Sequence, residues 1–400
     1  MRIRGITTVL YEYPLKRPVG DVQLPTGARR MAEVALFLTT DEEAVGVAFT
    51  RPAARPIVHD LAEELIGEDP RAVRELYERM RRRAFKIGTE GLIGSAVAAL
   101  DCALWDLRAK LNGRPLWREL GGTSNRVAAY ASGLDMPLSD TELREYYEDM
   151  ARRYGIRAGK LKVGRDQERD LQRLAVLRDA LHDGSGSQNP SLMIDANEFW
   201  SPKQAIGRIK QFEREFELVW VEEPVRRDDY RGLARVSRAV RSAVATGENL
   251  TAVGQFMPLL LNESADVIQV SAESTGITLS LRIAELADAF GLPVAMVNGS
   301  GSLIAHVAAV LPNHLMMEVI DAGRDAVYTS SHTLEDGAIV LGEAPGLGIT
   351  FDEQRLAEYA VERPSAEAIG AIYRRSSDSG VAETGGLRSA DGSRRVSPIS

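Results

Sequence analysis

The sequence predicts an α/β protein, a (β/α) barrel preceded by a smaller α+β capping domain, and three observations predict it. From Arg126 onward, short apolar β-rich runs alternate with stretches of helical periodicity, enough for eight strand-and-helix units. Before that point the pattern is different, with alternating strands first and helices afterwards. Finally, ionisable residues recur at the tails of successive β-rich runs. Lys160-Leu161-Lys162 in AGKLKVG is followed by Asp195 in LMIDAN, Glu222 in VWVEEP and Glu248 in VATGEN. The steps are about thirty residues, one strand plus one helix, and a barrel of such units gathers its C-terminal strand ends at one mouth.

In the first 50 residues, Ile3, Ile6, Val9 and Tyr11, then Val34, Leu36 and Leu38, then Val45, Val47 and Phe49 alternate with polar positions, which predicts a small antiparallel meander. The stretch PLKRPVGDVQLPTGARR between Tyr13 and Arg30 is too long for a tight hairpin and is expected to form a lid. Its Lys16, Arg17, Arg29 and Arg30 suggest an anionic or hydroxylated ligand. Residues 58–119 have helical spacing, through Leu61, Leu65, Val73, Leu76, Met80, Val97, Leu100, Leu104 and Leu107. The capping domain is thus assigned to 1–125, completed by about 346–375, and the barrel to 126–345. Barrel strands are expected near 127–133, 158–163, 191–196, 217–222, 243–248, 266–271, 293–298 and 314–319. Helices are expected at 140–154, 167–182, 203–216, 230–240, 251–262, 276–290 and 301–311. The tail 376–400, rich in Ser, Gly and Arg, lacks apolar periodicity and is expected to be disordered.

With 400 residues, 44% of them hydrophobic and 26% charged, the chain is long enough for a barrel plus a second domain. A net charge of −8 with no basic stripe argues against nucleic acid and anionic membranes as partners. The one cysteine, Cys102, has no partner for an internal disulfide. The N-terminus lacks a signal-peptide pattern, and no run of about 18 apolar residues occurs, so a cytoplasmic location is expected.

Three carboxylates brought to one mouth repel unless a hard cation sits among them, and an oxygen-only set suits Mg²⁺. Lys160 and Lys162, two apart on a strand, point to the same face, here the barrel interior. Like charge and desolvation both lower a lysine pKa, which is expected to leave one lysine able to accept a proton near pH 7.

These stretches, GIRAGKLKVG, MIDANEFW, WVEEPV and TGENL, with PGLGITFD near the C-terminus and GSAVAALDCALWDLRAKLNGRPLWRELGG near the N-terminus, resemble the enolase superfamily. Within it they resemble the mandelate racemase and muconate lactonizing enzyme branch, over roughly residues 1–375. The resemblance implies a modified, enolase-like TIM-type barrel and Mg²⁺-dependent removal of the proton α to a carboxylate, giving an enediolate. It assigns Asp195, Glu222 and Glu248 as metal ligands, Lys162 as base and Lys160 as its electrostatic neighbour. A small-molecule carboxylate substrate and a homo-oligomer are expected.

The departures matter as much. Racemising relatives place a histidine at the end of the seventh strand, paired with an aspartate one or two strands earlier, or a lysine on the far side. Here PVAMVNGSG offers Val297 and Asn298, VIQVSAESTG offers Val270 and Ser271, and no lysine follows Lys210. Of the five histidines, His306 falls in a helix and His314 begins strand eight at the wrong end. Glu318 in LMMEV is either a proton donor, if burial raises its pKa, or a strand-end salt-bridge partner. Asn197 either contacts substrate or a ligand carboxylate, or ties down its turn. Ser271, Asn298 and Ser300 are candidate contacts to substrate hydroxyls, and Glu273 is a loop carboxylate that could reach the mouth; Glu223 is expected to back the ligands or form a salt bridge rather than bind the metal, since adjacent strand residues face opposite ways. With one evident base, expulsion of a β-hydroxyl, the dehydration of an acid sugar, is the leading expectation. The alternatives are a racemase, epimerase or lactone cycloisomerase and, in another class, a metal-binding protein without catalysis.

Overall fold

The alternation after Arg126 closes into a barrel. In the computed structural model, which describes residues 1–365, 367 and 368, its strands are Arg126–Ser132, Ala158–Lys162, Ser191–Asp195, Leu218–Glu222, Ala243–Thr246, Val267–Ser271, Val294–Val297 and His314–Val319. They pair in chain order, all parallel, and the eighth returns to the first through Met317 and Ala129. The expected tail 376–400 lies outside the described residues.

Register is what matters for the site. Lys162 stands opposite Asp195, and Asp195 opposite Glu222, on three neighbouring strands. Below them the interior is filled by Tyr130, Met193, Trp220 and Val267, so the barrel is a packed core whose chemistry is confined to its mouth.

Most helices fall where periodicity places them. Asp140–Tyr154 starts at a Ser139/Glu142 capping box and ends at the left-handed Gly155. The stretch 301–311 does not form one helix. It breaks into a 3₁₀ turn at Ser300–Ser302, with Gly301 at φ 71°, and one helical turn at Ala305–Ala308. The helix after strand six begins early, at Ala272, and bends at Gly276 (φ 61°).

That bend is held by the capping domain. Its three strands, Ile3–Val19, Ala28–Thr40 and Val45–Thr50, form the expected antiparallel meander. The long buried helix Leu92–Leu111 presses on the barrel. Asp101 accepts bonds from Ile277 N (2.9 Å), Thr278 N (2.7 Å) and Thr278 Oγ1 (2.6 Å). Asp106 accepts from Val47 N and Leu347 N, at 2.8 and 2.7 Å. Gly46 has no room for a side chain, since a Cβ there would lie 2.2 Å from Ala103 O. A second staple is His306, whose Nδ1 accepts from Trp117 N (3.1 Å) while Nε2 lies 3.2 Å from Leu347 O. After strand Ile349–Phe351 the chain returns to the cap, with Val361 N bonded to Leu10 O at 2.9 Å.

The lid is shorter than expected. The first strand runs through Val19 and the second starts at Ala28, leaving a connection of residues 20–27. Leu15 and Val19 are buried, so burial on one face extends the strand into the segment whose Pro and Gly content suggests a loop. Among the described residues no helix is long and apolar enough to cross a membrane.

Candidate active site

Lys160, Lys162, Asp195, Glu222 and Glu318 are buried together at the barrel mouth. Lys160 Nζ lies 2.6 Å from Glu222 Oε1, 3.1 Å from Glu318 Oε1 and 3.6 Å from Asp195 Oδ2, and Lys162 Nζ donates to Asp195 Oδ2. Glu248, just past the fifth strand, borders the cavity above. Carboxylates outnumber ammonium groups, and the electrostatics show it. Burial, only partly offset by Lys160, pushes the Glu222 carboxyl up to about 8, with Asp195 and Glu248 adding to the rise. Burial and Asp195 push Glu248 upward too. Asp195 goes the other way: burial raises it, but Lys162 and Lys160 hold it down at about 2.

One expectation about charge is corrected here, and the alternative left open for Glu318 falls to the salt-bridge partner. Burial does pull the Lys162 ammonium down, and Lys160 pulls with it, yet the Asp195 carboxylate outweighs both and the net shift is upward. Lys160 is likewise raised. Attraction to carboxylates across neighbouring strands outweighs the lysine–lysine repulsion along one strand. For Glu318, burial acts upward, but Lys160 and Lys162 win and its pKa is lowered. It sits as the carboxylate partner of Lys160 and accepts from Asn298 N at 3.2 Å.

The second lysine strand is braced by residues with no motif to announce them. Asp135 Oδ1 accepts from Lys162 N (3.1 Å) and pairs with the buried Arg173 (3.1 Å). Tyr147 Oη lies 2.8 Å from Asp135 Oδ2 and 2.6 Å from Lys160 O, its one proton shared between them. These contacts come from the loop after strand one and from the two following helices, so only the fold reveals them.

Past the third and fourth strands the backbone turns left-handed at three non-glycine residues, Asn197 (φ 42°), Glu198 (φ 61°) and Glu223 (φ 39°). Asn197 N donates to Asp195 Oδ1 at 2.8 Å, so this residue both ties the turn and holds a candidate ligand, while its Oδ1 has no partner. Glu223 escapes strand alternation. It shares Asn249 with Glu248, which puts it beside the carboxylate cluster, and burial and then Glu248 raise its pKa. Asn249 Nδ2 bridges the two, 3.1 Å from Glu223 Oε1 and 3.1 Å from Glu248 Oε1.

Above the cluster lies a cavity of about 280 Å³, bounded by Val19 at the end of the first strand, by Gly20, Asp21 and Leu24 of the lid, and by Glu248, Glu273, Arg51 and Arg324. The lid is clamped down: Gly20 N bonds Leu134 O (2.7 Å), and Gln23 Nε2 bonds Asn197 O (3.1 Å). Val22 packs on Gly164 (φ 147°), where a Cβ would come within 2.8 Å of it. The four lid cations do not line this cavity. Lys16 pairs with Asp321, Arg17 lies over the Tyr146 ring and bonds Gly133 O, Arg30 pairs with Glu12, and Arg29 is exposed. Ser271 Oγ accepts from Ser274 N as a helix cap, Asn298 Oδ1 accepts from Ser302 Oγ, and Ser300 Oγ donates to Glu33.

An oxygen-only set of Asp195, Glu222 and Glu248 with surplus negative charge suits a hard divalent cation. As arranged, Asp195 and Glu222 hold ammonium groups, and among the described residues no three candidate ligands form a ready-made metal cluster. A cation competes with Lys160 and Lys162 for the same oxygens.

A parallel eight-stranded barrel with lysines on its second strand and acids closing the third, fourth and fifth defines a class, and the comparisons agree. Residues 142–355 match the family described as enolase C-terminal domain-like, and residues 18–121 match the mandelate racemase / muconate lactonizing enzyme N-terminal domain. The chain belongs to the enolase superfamily, in its mandelate racemase and muconate lactonizing enzyme branch. It is 31% identical to the L-talarate/galactarate dehydratase of Salmonella typhimurium, over 88% of this chain and 90% of that one. It is also 31% identical to the 3,6-anhydro-alpha-L-galactonate cycloisomerase of Streptomyces coelicolor, over 90% and 99%. Among solved structures, a Streptomyces coelicolor racemase with bound magnesium matches with a TM-score of 0.82 at 28% identity, covering 90% of this chain and all of that one. The Salmonella dehydratase, liganded with Mg and L-lyxarohydroxamate, matches at 0.78 and 28%, over 91% and 95%.

Proposed function

We propose that the protein is a Mg²⁺-dependent enzyme that removes the α-proton of a small carboxylate, and that its overall reaction is the dehydration of an acid sugar. The observation that carries this is the register that aligns Lys162, Asp195 and Glu222 on adjacent strands at the barrel mouth, below the cavity that Glu248 borders. Asp195, Glu222 and Glu248 would hold the ion, which when bound supplies positive charge to the substrate carboxylate as the proton departs. A cation held by Asp195 would weaken that carboxylate's upward pull on Lys162, leaving burial and Lys160 acting downward against the smaller pulls of Glu222 and Glu318. Lys162 Nζ then accepts the α-proton. Lys160 stays charged between Glu222 and Glu318.

The β-hydroxyl leaves on the same face. The C–O bond breaks, Lys162 returns its proton to the departing oxygen as water, and the enol product tautomerises to a 2-keto acid. Glu318, held anionic by the lysines, is a poor donor for this step. At the end of strand seven stand Val297 and Asn298, without a titratable side chain, which supports elimination over reprotonation on the opposite face. The second reading, an epimerase or lactone cycloisomerase, is favoured by the equal identity to the Streptomyces cycloisomerase.

Screening acid sugars and lactones with Mg²⁺ tests this: a 2-keto acid is expected, whereas a change in optical rotation without it selects the isomerase. Glu222→Gln should lose Mg²⁺ affinity and turnover with the fold intact. Retained Mg²⁺-dependent turnover refutes the ligand set.

A further inference from the structure

The cavity over the site has one charged group, Arg324, that Glu33 and Glu273 attract through space but that no described residue bonds at Nε or Nη1. Besides the proposed metal ligand Glu248, its lining includes Asp21, Glu33, Glu273, Arg51 and Arg324. Asp21 Oδ1 accepts from Gln23 N (2.7 Å) and Leu24 N (3.1 Å). Glu33 accepts from Tyr11 Oη (2.8 Å) and Ser300 Oγ (2.6 Å). Glu273 pairs with Arg51 at 3.4 Å. Arg324 is left over. Its Nε and Nη1 are shut off from solvent with no hydrogen-bond partner, and among the described residues no carboxylate stands within ion-pair distance of it. A desolvated guanidinium with idle donors is costly, and it becomes favourable when an anion arrives.

Arg324 is not a stray surface residue. It follows the eighth barrel strand on a loop stapled to the cap, where Lys16 N donates to Ala322 O (3.0 Å) and Lys16 Nζ lies 2.8 Å from Asp321. Gly323 (φ 83°) lies so close to Lys16 that a Cβ would fall 3.0 Å from Lys16 Cγ. The loop is thereby fixed, and a modest turn of the long side chain presents its donors to the cavity. A hydroxyl would meet one donor, whereas a carboxylate accepts from both idle nitrogens at once and adds opposite charge in direct contact, which Glu33 and Glu273 supply only through space. The cavity volume, about 280 Å³, is at the small end for ligand pockets and suits a compact hydroxylated chain.

We propose that Arg324 receives a second, distal carboxylate, so that the substrate is a dicarboxylic acid sugar with one carboxylate at the Lys162 end and the other at Arg324. This rests on the α-proton chemistry proposed above. Arg324 acts as a specificity-determining residue, not as a catalytic one.

The test uses the full-length protein with Mg²⁺ and matched pairs of six-carbon diacids and monoacids, galactarate against galactonate, D-glucarate against D-gluconate, and the remaining configurations. Wild-type protein is expected to prefer the diacid of its configuration. Arg324→Met should lower kcat/KM for that diacid roughly 10–100-fold, chiefly through KM, and change the monoacid by no more than about threefold. Arg324→Lys should recover part of the loss. Calorimetric binding to Lys162→Ala protein gives a reading independent of turnover, in which tighter diacid binding should vanish on adding Arg324→Met. A wild-type preference for monoacids overturns the assignment of Arg324 without any variant and leaves the dehydratase reading standing, as does an equal loss on both acids. Failure of every acid sugar both to bind and to react overturns the underlying reading and this assignment with it.

Discussion

Replacing His306 by alanine tests how the cap is fastened to the barrel. The ring is buried, takes a bond from Trp117 N and contacts Leu347 O, so it joins the cap, the barrel loop and the C-terminal return. Burial, and then the neighbouring His332 ring, push its pKa down to about 3. The unfolded chain takes its proton near 6.5. Stability from the neutral ring is therefore complete above about pH 6.5 and is lost progressively as pH falls toward 3. At about 1.4 kcal/mol per unit, roughly 2 kcal/mol is gone by pH 5. The alanine variant has no such proton to bind. At pH 7.5 it should be less stable by about 3–4 kcal/mol, from the cavity and the idle Trp117 N–H, and at pH 5 by only about 1–2 kcal/mol. Urea unfolding followed by tryptophan fluorescence at pH 7.5, 6 and 5 measures that gap. A gap that stays constant or widens on acidification refutes the neutral-ring account.

Lys162→Ala should abolish turnover, with a loss of at least about 10²–10⁴, together with exchange of the substrate α-proton in D₂O followed by NMR; exchange that survives would move the base elsewhere. Gly164→Ala, at φ 147° and 2.8 Å from Val22, should cost about 1–3 kcal/mol and raise KM by unseating the lid, and a lower Tm with KM unchanged would contradict that seating. Arg173→Met strips the buried Asp135 of its partner and should cost about 3–5 kcal/mol and lower kcat, with partial recovery in Arg173→Lys; kcat at the wild-type level would show that the brace does not position Lys162.

The barrel was legible because each strand and helix repeats a period that the fold also obeys, and the strand ends fell within a residue or two of their expected places. The grouping of Lys162, Asp195 and Glu222 was legible for the same reason, since strand-end spacing maps directly onto neighbouring strands. What could not be read depends on contacts between distant residues. Lys16 meets Asp321, so its charge is spent before any ligand arrives, and no local pattern announces this. The charge state of Lys162 is set by Asp195 across the strand gap rather than by Lys160 beside it. Glu223 defeats the rule of alternating faces because its φ of 39° takes it out of strand geometry. The helix expected at 301–311 has suitable apolar spacing, but the left-handed backbone at Gly301 (φ 71°) and Ser302 (φ 49°) breaks it.

The lid tip and the carboxylate cluster share one hydrogen-bonded line. Gln23 holds Asn197, Asn197 holds Asp195, and Asp195 holds Lys162. Closing the lid and setting Asp195 are therefore two descriptions of one equilibrium, and thermodynamic reciprocity applies: whatever factor closure adds to affinity at Asp195, occupancy there returns to closure. Gln23 takes no part in bond making, yet its bond to Asn197 O ties the lid tip to this line, so a change at this lid residue should be felt first as a shorter residence time of a bound molecule.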